Sequence, residues 1–147
     1  MSNQIINSKV IEKYTEMNQY GKLINLKLIA LKKGVCTFEL KVEKKHLATL
    51  RAIHGGVLSS IMDQIMGVAA LAEVEHLKKL VATLEFKISY YNPGFLGDKL
   101  TCTGEIVKAG NRILYSKGKI LNQEGLLIAE GSGTFNAYPA EKVGVKL

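Results

Sequence analysis

The stretch from His54 to Ala72, HGGVLSSIMDQIMGVAALA, opens on two glycines and runs almost wholly apolar, with Asp63 its one charged residue. Leu58, Ile61, Met62, Ile65, Met66 and Ala69 are joined by Val57, Val68 and Leu71 around the other sides of a 3.6-residue repeat. No polar stripe is left wide enough to face water, so the segment reads as a helix buried on all faces. Such a helix needs other elements wrapped around it. A carboxylate in its middle loses solvation, which raises its pKa and leaves the ionised form reactive unless a partner neutralises it. Asp63 is therefore a candidate reactive group, against the alternative of a structural Asp bonded to a nearby hydroxyl or amide.

His54-Gly55-Gly56 stands where the first helical N–H groups lack partners and the macrodipole is positive. Glycines let another molecule come close to that backbone. The arrangement suits a carbonyl oxygen becoming an oxyanion, and it also suits a phosphate. His54 alone reads as a hydrogen-bonding residue rather than a base. Gly55 and Asp63 are eight residues apart, about 12 Å along a helix axis. A base and an oxyanion donor must both lie about 3 Å from one reacting centre. One copy of the helix cannot supply both, so a shared chemistry requires two equivalent sites in an isologous dimer.

The remaining pattern supplies a scaffold. Residues 8–20 read as an amphipathic helix with Val10, Ile11, Tyr14 and Met17 on its packed side and Ser8 as cap, within an N-terminal helical segment 1–20. Residues 23–31 and 35–42 form an expected hairpin around Lys33-Gly34, with Cys36, Phe38, Leu40 and Val42 alternating inward. After an irregular stretch and the central helix, expected at 55–74, strands are expected near 79–91, 99–109, 112–122 and 126–137. Turn residues Asn92-Pro93-Gly94, Gly110-Asn111 and Asn122 to Gly125 divide them. This order predicts an α+β domain in which a curved antiparallel sheet of five to six strands wraps one apolar helix.

The chain has 147 residues, 47% of them hydrophobic, which fits a single domain over 1–147 with a substantial core. No charged-then-apolar leader pattern opens it, and an apolar run of about 18 residues with an acid near its middle reads as short and badly charged for a membrane span. A soluble cytoplasmic protein without membrane partners is the expectation. Cys36 and Cys102 lack metal spacing and read as buried thiols, and no metal site is expected from three scattered histidines. The net charge of +7 is spread over pairs such as Lys32-Lys33, Lys44-Lys45 and Lys78-Lys79. Such a charge suits nucleic acid, an anionic membrane surface or a phosphate-bearing ligand; without an aromatic-interleaved or recognition-helix pattern nucleic acid is disfavoured, and a polyanion such as coenzyme A fits the charge equally well.

Together, HGG at 54–56, the acid at Asp63, FKISYYNPGFLGDKL at 86–100, the Gly110-Asn111-Arg112 turn and GSGTF at 131–135 resemble the hot-dog-fold acyl-CoA thioesterases. The resemblance is to the phenylacetate-pathway and 4-hydroxybenzoyl-CoA branch and covers most of residues 20–137. It implies hydrolysis of an acyl- or aryl-CoA, with coenzyme A as part of the substrate and no separate cofactor. It also implies homodimers that pair into homotetramers, with active sites at the dimer interface. Carried over by position, Gly55 resembles the amide that polarises the thioester carbonyl, and Asp63 of the other subunit the general base or nucleophile. His54 would orient the site, and Thr83 matches a hydroxyl that places water. Gly56, Asn111 and Arg112 resemble substrate-binding positions, the last two near the nucleotide or pantetheine end of CoA.

One departure stands out. Six residues before His54 the family commonly places Asn or Gln, whose amide assists the carbonyl or the water, and this chain has Ala48. Losing a side-chain oxyanion donor costs on the order of 10²–10³ in rate. Arg51, Thr49 and His46 are the nearby substitutes, and a non-catalytic acyl-CoA-binding or ligand-sensing domain is the alternative function. A hydratase of the same fold is disfavoured because no acid-paired catalytic His is evident.

Overall fold

The computed structural model describes residues 7–147, so the first six residues of the expected N-terminal helix lie outside it. Two short helices, α1 (Lys9–Met17) and α2 (Gln19–Leu23), precede a hairpin of β1 (Lys27–Lys32) and β2 (Val35–Lys41). The long helix α3 (Gly55–Val74) follows, then β3 (Lys79–Tyr90), β4 (Lys99–Ala109), β5 (Ile113–Leu121) and β6 (Leu127–Pro139). The strands form one antiparallel six-stranded sheet in the order β1-β2-β4-β5-β6-β3.

The single helix expected over 8–20 is in fact two. Ser8 caps α1 by accepting from the Ile11 amide, but Asn18 leaves helical geometry and its side chain caps α2 through the Gly21 amide at 3.0 Å. An Asn there favours a new start because its carboxamide competes with the helix for backbone partners. The first strand consequently begins four residues later than expected, after α2 and a left-handed Asn25. Val10 and Ile11 pack inward, whereas Met17 is exposed and Tyr14 is only partly covered, contrary to the expected stripe. The other strands and α3 fall close to their expected spans.

Inward residues alternate on the strands, as in Leu114, Ser116, Gly118 and Ile120 of β5, which is the period of two that a one-sided sheet requires. They meet Leu58, Ile61, Met62, Ile65 and Met66 of α3 in one core. Fully burying each such side chain contributes about 1.5–3 kcal/mol. Two glycines set the approach of helix to sheet. A Cβ on Gly104 would stand 2.1 Å from the Ile65 carbonyl oxygen, and one on Gly118 would stand 2.6 Å from Met62 Sδ. Helix α3 therefore rests directly on the strand backbone of β4 and β5.

The helical run Gly55–Leu77 is apolar and long enough to cross a membrane by composition, unlike the expectation above, and its burial inside the sheet explains that composition. Cys36 and Cys102 are both buried and free of any disulfide. At one margin of the sheet lies β3, a 12-residue strand bonded, among the described residues, only to β6. A bulge between Thr83 and Glu85 turns Leu84 out, leaving it 57% exposed. Long edges of this kind template pairing with another chain.

Candidate active site

Helix α3 is apolar toward the sheet and polar along one flank, which corrects the expectation of burial on all faces. Ser59, Ser60, Asp63, Gln64 and Gly67 are only half-buried. These positions recur at three and four residues and so share a face. Asp63 is accordingly not sealed in the core. Its Oδ1 accepts a hydrogen bond from Thr83 Oγ1 of β3 at 2.8 Å. Two of the residues singled out in the sequence thus meet across 20 positions of chain.

Asp63 and Thr83 border a cavity of about 280 Å³ between α1, α3, β3 and β6. Val68, Leu71, Leu80, Val81 and Phe135 make its apolar wall, while Tyr14, Gln64 and Tyr138 add polar groups. The volume falls just short of the roughly 300–1,000 Å³ of small-ligand pockets, but the mixture of apolar wall and few polar groups is typical of one. Burial pushes the Tyr14 phenol above its ordinary pKa, and the charge of Asp63 adds to the rise. The carboxylate and the phenol therefore share one electrostatic environment.

The other end of α3 carries the glycines. His54 is its N-cap, and its Nδ1 accepts from the Gly56 amide at 2.7 Å. The neutral ring then keeps its proton on Nε2. The amides of Val57 and Leu58 reach the His54 carbonyl at 3.0 and 3.4 Å. Only the Gly55 amide of this first turn has no protein partner among the described residues. The Tyr90 hydroxyl, which sequence reasoning missed, donates to the Gly55 carbonyl at 3.0 Å and also meets Ser59 Oγ. A Cβ on Gly55 would find the Tyr90 ring at 3.5 Å, an ordinary contact. Gly55 and Asp63 lie on one uninterrupted helix, so the separation of about 12 Å within one chain stands.

The candidates to replace the side chain missing at Ala48 are occupied elsewhere. His46 is 1% exposed and bonded at both ring nitrogens, to the Glu43 amide and the Ile24 carbonyl. Thr49 Oγ1 accepts from the Ala52 amide at 3.0 Å within its own turn. Arg51 is exposed and lies over the Phe95 ring, 5.1 Å from its centroid. Asn111 and Arg112 do not line the Asp63 cavity. They form the β4–β5 turn, where Lys79 Nζ donates to the Asn111 Oδ1 at 2.9 Å and Arg112 gives its carbonyl to the Ala137 amide. Gln64 and Tyr138 were also missed. Gln64 is adjacent to Asp63, but its significance depends on α1, which no local pattern places beside it.

Comparison with known proteins bears on this geometry. The model of the thioesterase superfamily matches residues 51–129, which hold both the HGG turn and Asp63. Human acyl-coenzyme A thioesterase 13 is 25% identical over 128 residues, spanning 86% of this chain and 90% of the relative. The fold superposes on the Escherichia coli PaaI protein of the phenylacetic acid degradation operon with a TM-score of 0.81 at 22% identity, over 87% and 90% of the two chains. A thioesterase protein of Streptococcus pneumoniae, solved with coenzyme A, gives a TM-score of 0.78 at 26% identity, over 86% of this chain and 96% of that one. The six-stranded sheet around a long central helix is thus the hot-dog fold, and the chain belongs to the thioesterase superfamily.

Proposed function

We propose that this protein hydrolyses the thioester of an acyl- or aryl-CoA at a site shared between two subunits. The observation that carries this reading is the pair of complementary, separated groups. A Thr83-bonded carboxylate opens on an apolar cavity, and a Gly55 amide without a protein partner among the described residues lies at the far end of the same helix. Juxtaposing two copies brings the amide of one to the carboxylate of the other. The long edge of β3, with Leu84 turned outward, supports that pairing. So does the exposed Leu50 in the loop before the glycines.

In the proposed reaction the acyl group enters the cavity beside α3 while the CoA moiety remains outside. Asp63 takes a proton from water as the water oxygen bonds to the thioester carbon, and the carbonyl electrons move to an oxygen held by the other subunit's Gly55 amide. Collapse of that intermediate breaks the C–S bond. The proton passes to the departing sulfur, giving a carboxylic acid and CoA thiol. Direct attack by Asp63, through an anhydride that water then opens, uses the same oxyanion site. His54 holds the first turn through Gly56, and both glycines let the substrate approach closely. The Asn111–Arg112 turn would take phosphates of CoA, with Lys79 beside it. Coenzyme A is then substrate, with no cofactor required. Pairing of dimers into a homotetramer, a single domain over the whole chain and a soluble cytoplasmic location complete the proposal.

A chromogenic thiol-release assay across short, long and aryl CoA esters tests it. Asp63→Asn keeps size and removes charge, so turnover should fall by about 10²–10⁴ if the carboxylate is the base. Near-normal turnover by that variant would refute the role. Mixing Asp63→Asn subunits with subunits obstructed at Gly55 should restore part of the activity through heterodimers. The second reading, an acyl-CoA-binding protein without hydrolysis, is favoured by Ala48 and predicts tight binding with no thiol release.

A further inference from the structure

The carboxamide of Gln64 is held in one orientation by a chain of hydrogen bonds that begins at a backbone amide. Gly21 N–H donates to Asn18 Oδ1 at 3.0 Å, which fixes the Asn18 side chain with its Nδ2 pointing away. That Nδ2 donates to Gln64 Oε1 at 2.9 Å. The Tyr14 hydroxyl donates to the same oxygen at 3.0 Å. Because a backbone N–H can only donate, neither amide can be flipped without placing a donor against a donor. Both acceptor positions of Gln64 are used on the α1 side. Its two Nε2 hydrogens have no protein partner among the described residues, and the residue lines the cavity that Asp63 and Thr83 share.

We propose that Gln64 is a further catalytic residue, whose Nε2 donates to the water that Asp63 deprotonates and so supplies the carboxamide absent at Ala48. This rests on the hydrolytic reading above. A nucleophilic water has two lone pairs. One must face the thioester carbon, and a donor on the other fixes its direction. Asp63 accepts one water hydrogen, Thr83 holds the carboxylate, and Gln64 occupies the second lone pair from the next residue on the helix. No proton is transferred to or from the amide; its part is positional. Three residues of one subunit then arrange the nucleophile while the other subunit's Gly55 receives the oxyanion. Helix α1 acquires a role as the element that aims Gln64. Asn18 and Tyr14 are positioning residues that act through it.

The test compares Gln64→Glu and Gln64→Met with the wild-type oligomer. Glutamate still accepts from Asn18 and Tyr14, so α1 stays docked while the donor is lost. Methionine removes both the donor and the polar contacts without adding charge. A misdirected water costs about 10²-fold, so kcat should fall by roughly that factor in both variants, with KM for the CoA ester changed less than threefold. Restoring a carboxamide with Ala48→Asn in the Gln64→Met background should recover at least tenfold of the lost kcat, which a merely structural defect would not do. Wild-type kcat, within threefold, in either variant overturns the assignment, as does absence of rescue in a folded double variant. If the wild-type protein itself releases no thiol from any CoA ester, the hydrolytic reading fails first and the two failures are distinct. A variant that does not fold is replaced by Asn18→Ala with Tyr14→Phe, which frees the carboxamide to rotate. That pair should lower kcat at least fivefold at unchanged KM, and unaltered kcat would again overturn the proposal.

Discussion

Replacing Gly104 by alanine adds one methyl group at the tightest contact between helix and sheet. The added Cβ would stand 2.1 Å from the Ile65 carbonyl oxygen, 2.4 Å from its carbon and 3.0 Å from the Met66 amide nitrogen. Carbon contacts settle near 3.5–4.0 Å, so α3 must rise by about 1 Å over β4. The obstacle is helix backbone, and no rotamer change relieves it. The Cys36 thiol, which donates to that same carbonyl at 3.0 Å, would lose its acceptor as well. Overpacking costs about 1–3 kcal/mol and occasionally more, and the backbone contact places this case near 3 kcal/mol. For a chain of this length each kcal/mol lowers Tm by about 2–4 °C. A drop of about 6–12 °C in a thermal melt is therefore expected. Ile65 is two residues from Asp63, so the same displacement opens the 2.8 Å bond to Thr83. A shift of about 1 Å at a reacting group costs on the order of 10² in rate. Gly55→Ala is the stability control, since its Cβ meets Tyr90 only at ordinary contact distance. If Gly104→Ala melts within 2 °C of the wild type, roughly a 1 kcal/mol effect at most, the close-packing argument is wrong.

Thr83→Val removes the hydroxyl that bonds Asp63 while keeping a β-branched shape; kcat should fall roughly 10-fold, about 1.4 kcal/mol, and Thr83→Ser should restore most of it. His54→Ala deletes the acceptor for the Gly56 amide and should cost about 0.5–2 kcal/mol, read from urea unfolding, with the Gly55 amide left in place. Burial pushes the Cys36 thiol up to about 12 and raises that of Cys102 as well. An Ellman's titration at pH 8 should therefore find both thiols unreactive until the chain is unfolded. The sign of the linkage follows, because the unfolded thiols lose protons near pH 8.5 while the folded ones retain them. Their contribution is present below that pH and is lost as pH rises toward the folded value, at up to about 1.4 kcal/mol per pH unit per thiol. Urea unfolding at pH 8 and pH 10 should show less of this loss in Cys36→Ala, and an identical loss would contradict it.

The central helix and the strands β2 to β6 were legible in the amino-acid order, which also raised the expectation of two subunits. These depend on local period and on helix rise, which are properties of neighbouring residues: the apolar run from Val57, the alternation of Cys36, Phe38 and Leu40, and eight residues between Gly55 and Asp63. Resemblance added Thr83, and the fold then placed its hydroxyl on Asp63. The tertiary structure alone decided which flank of α3 is polar, because burial depends on which strands cover it, and no hydropathy pattern records that β3 leaves Asp63 open. It also decided the break at Asn18, where a side-chain cap outcompetes the continuation of α1. Gln64 shows the limit most clearly. Next to Asp63 it reads as an ordinary helical glutamine, and only the docking of α1, 46 residues away in the chain, orients its amide. A hydrogen bond between distant segments has no sequence period, so it becomes legible only when the fold brings them together.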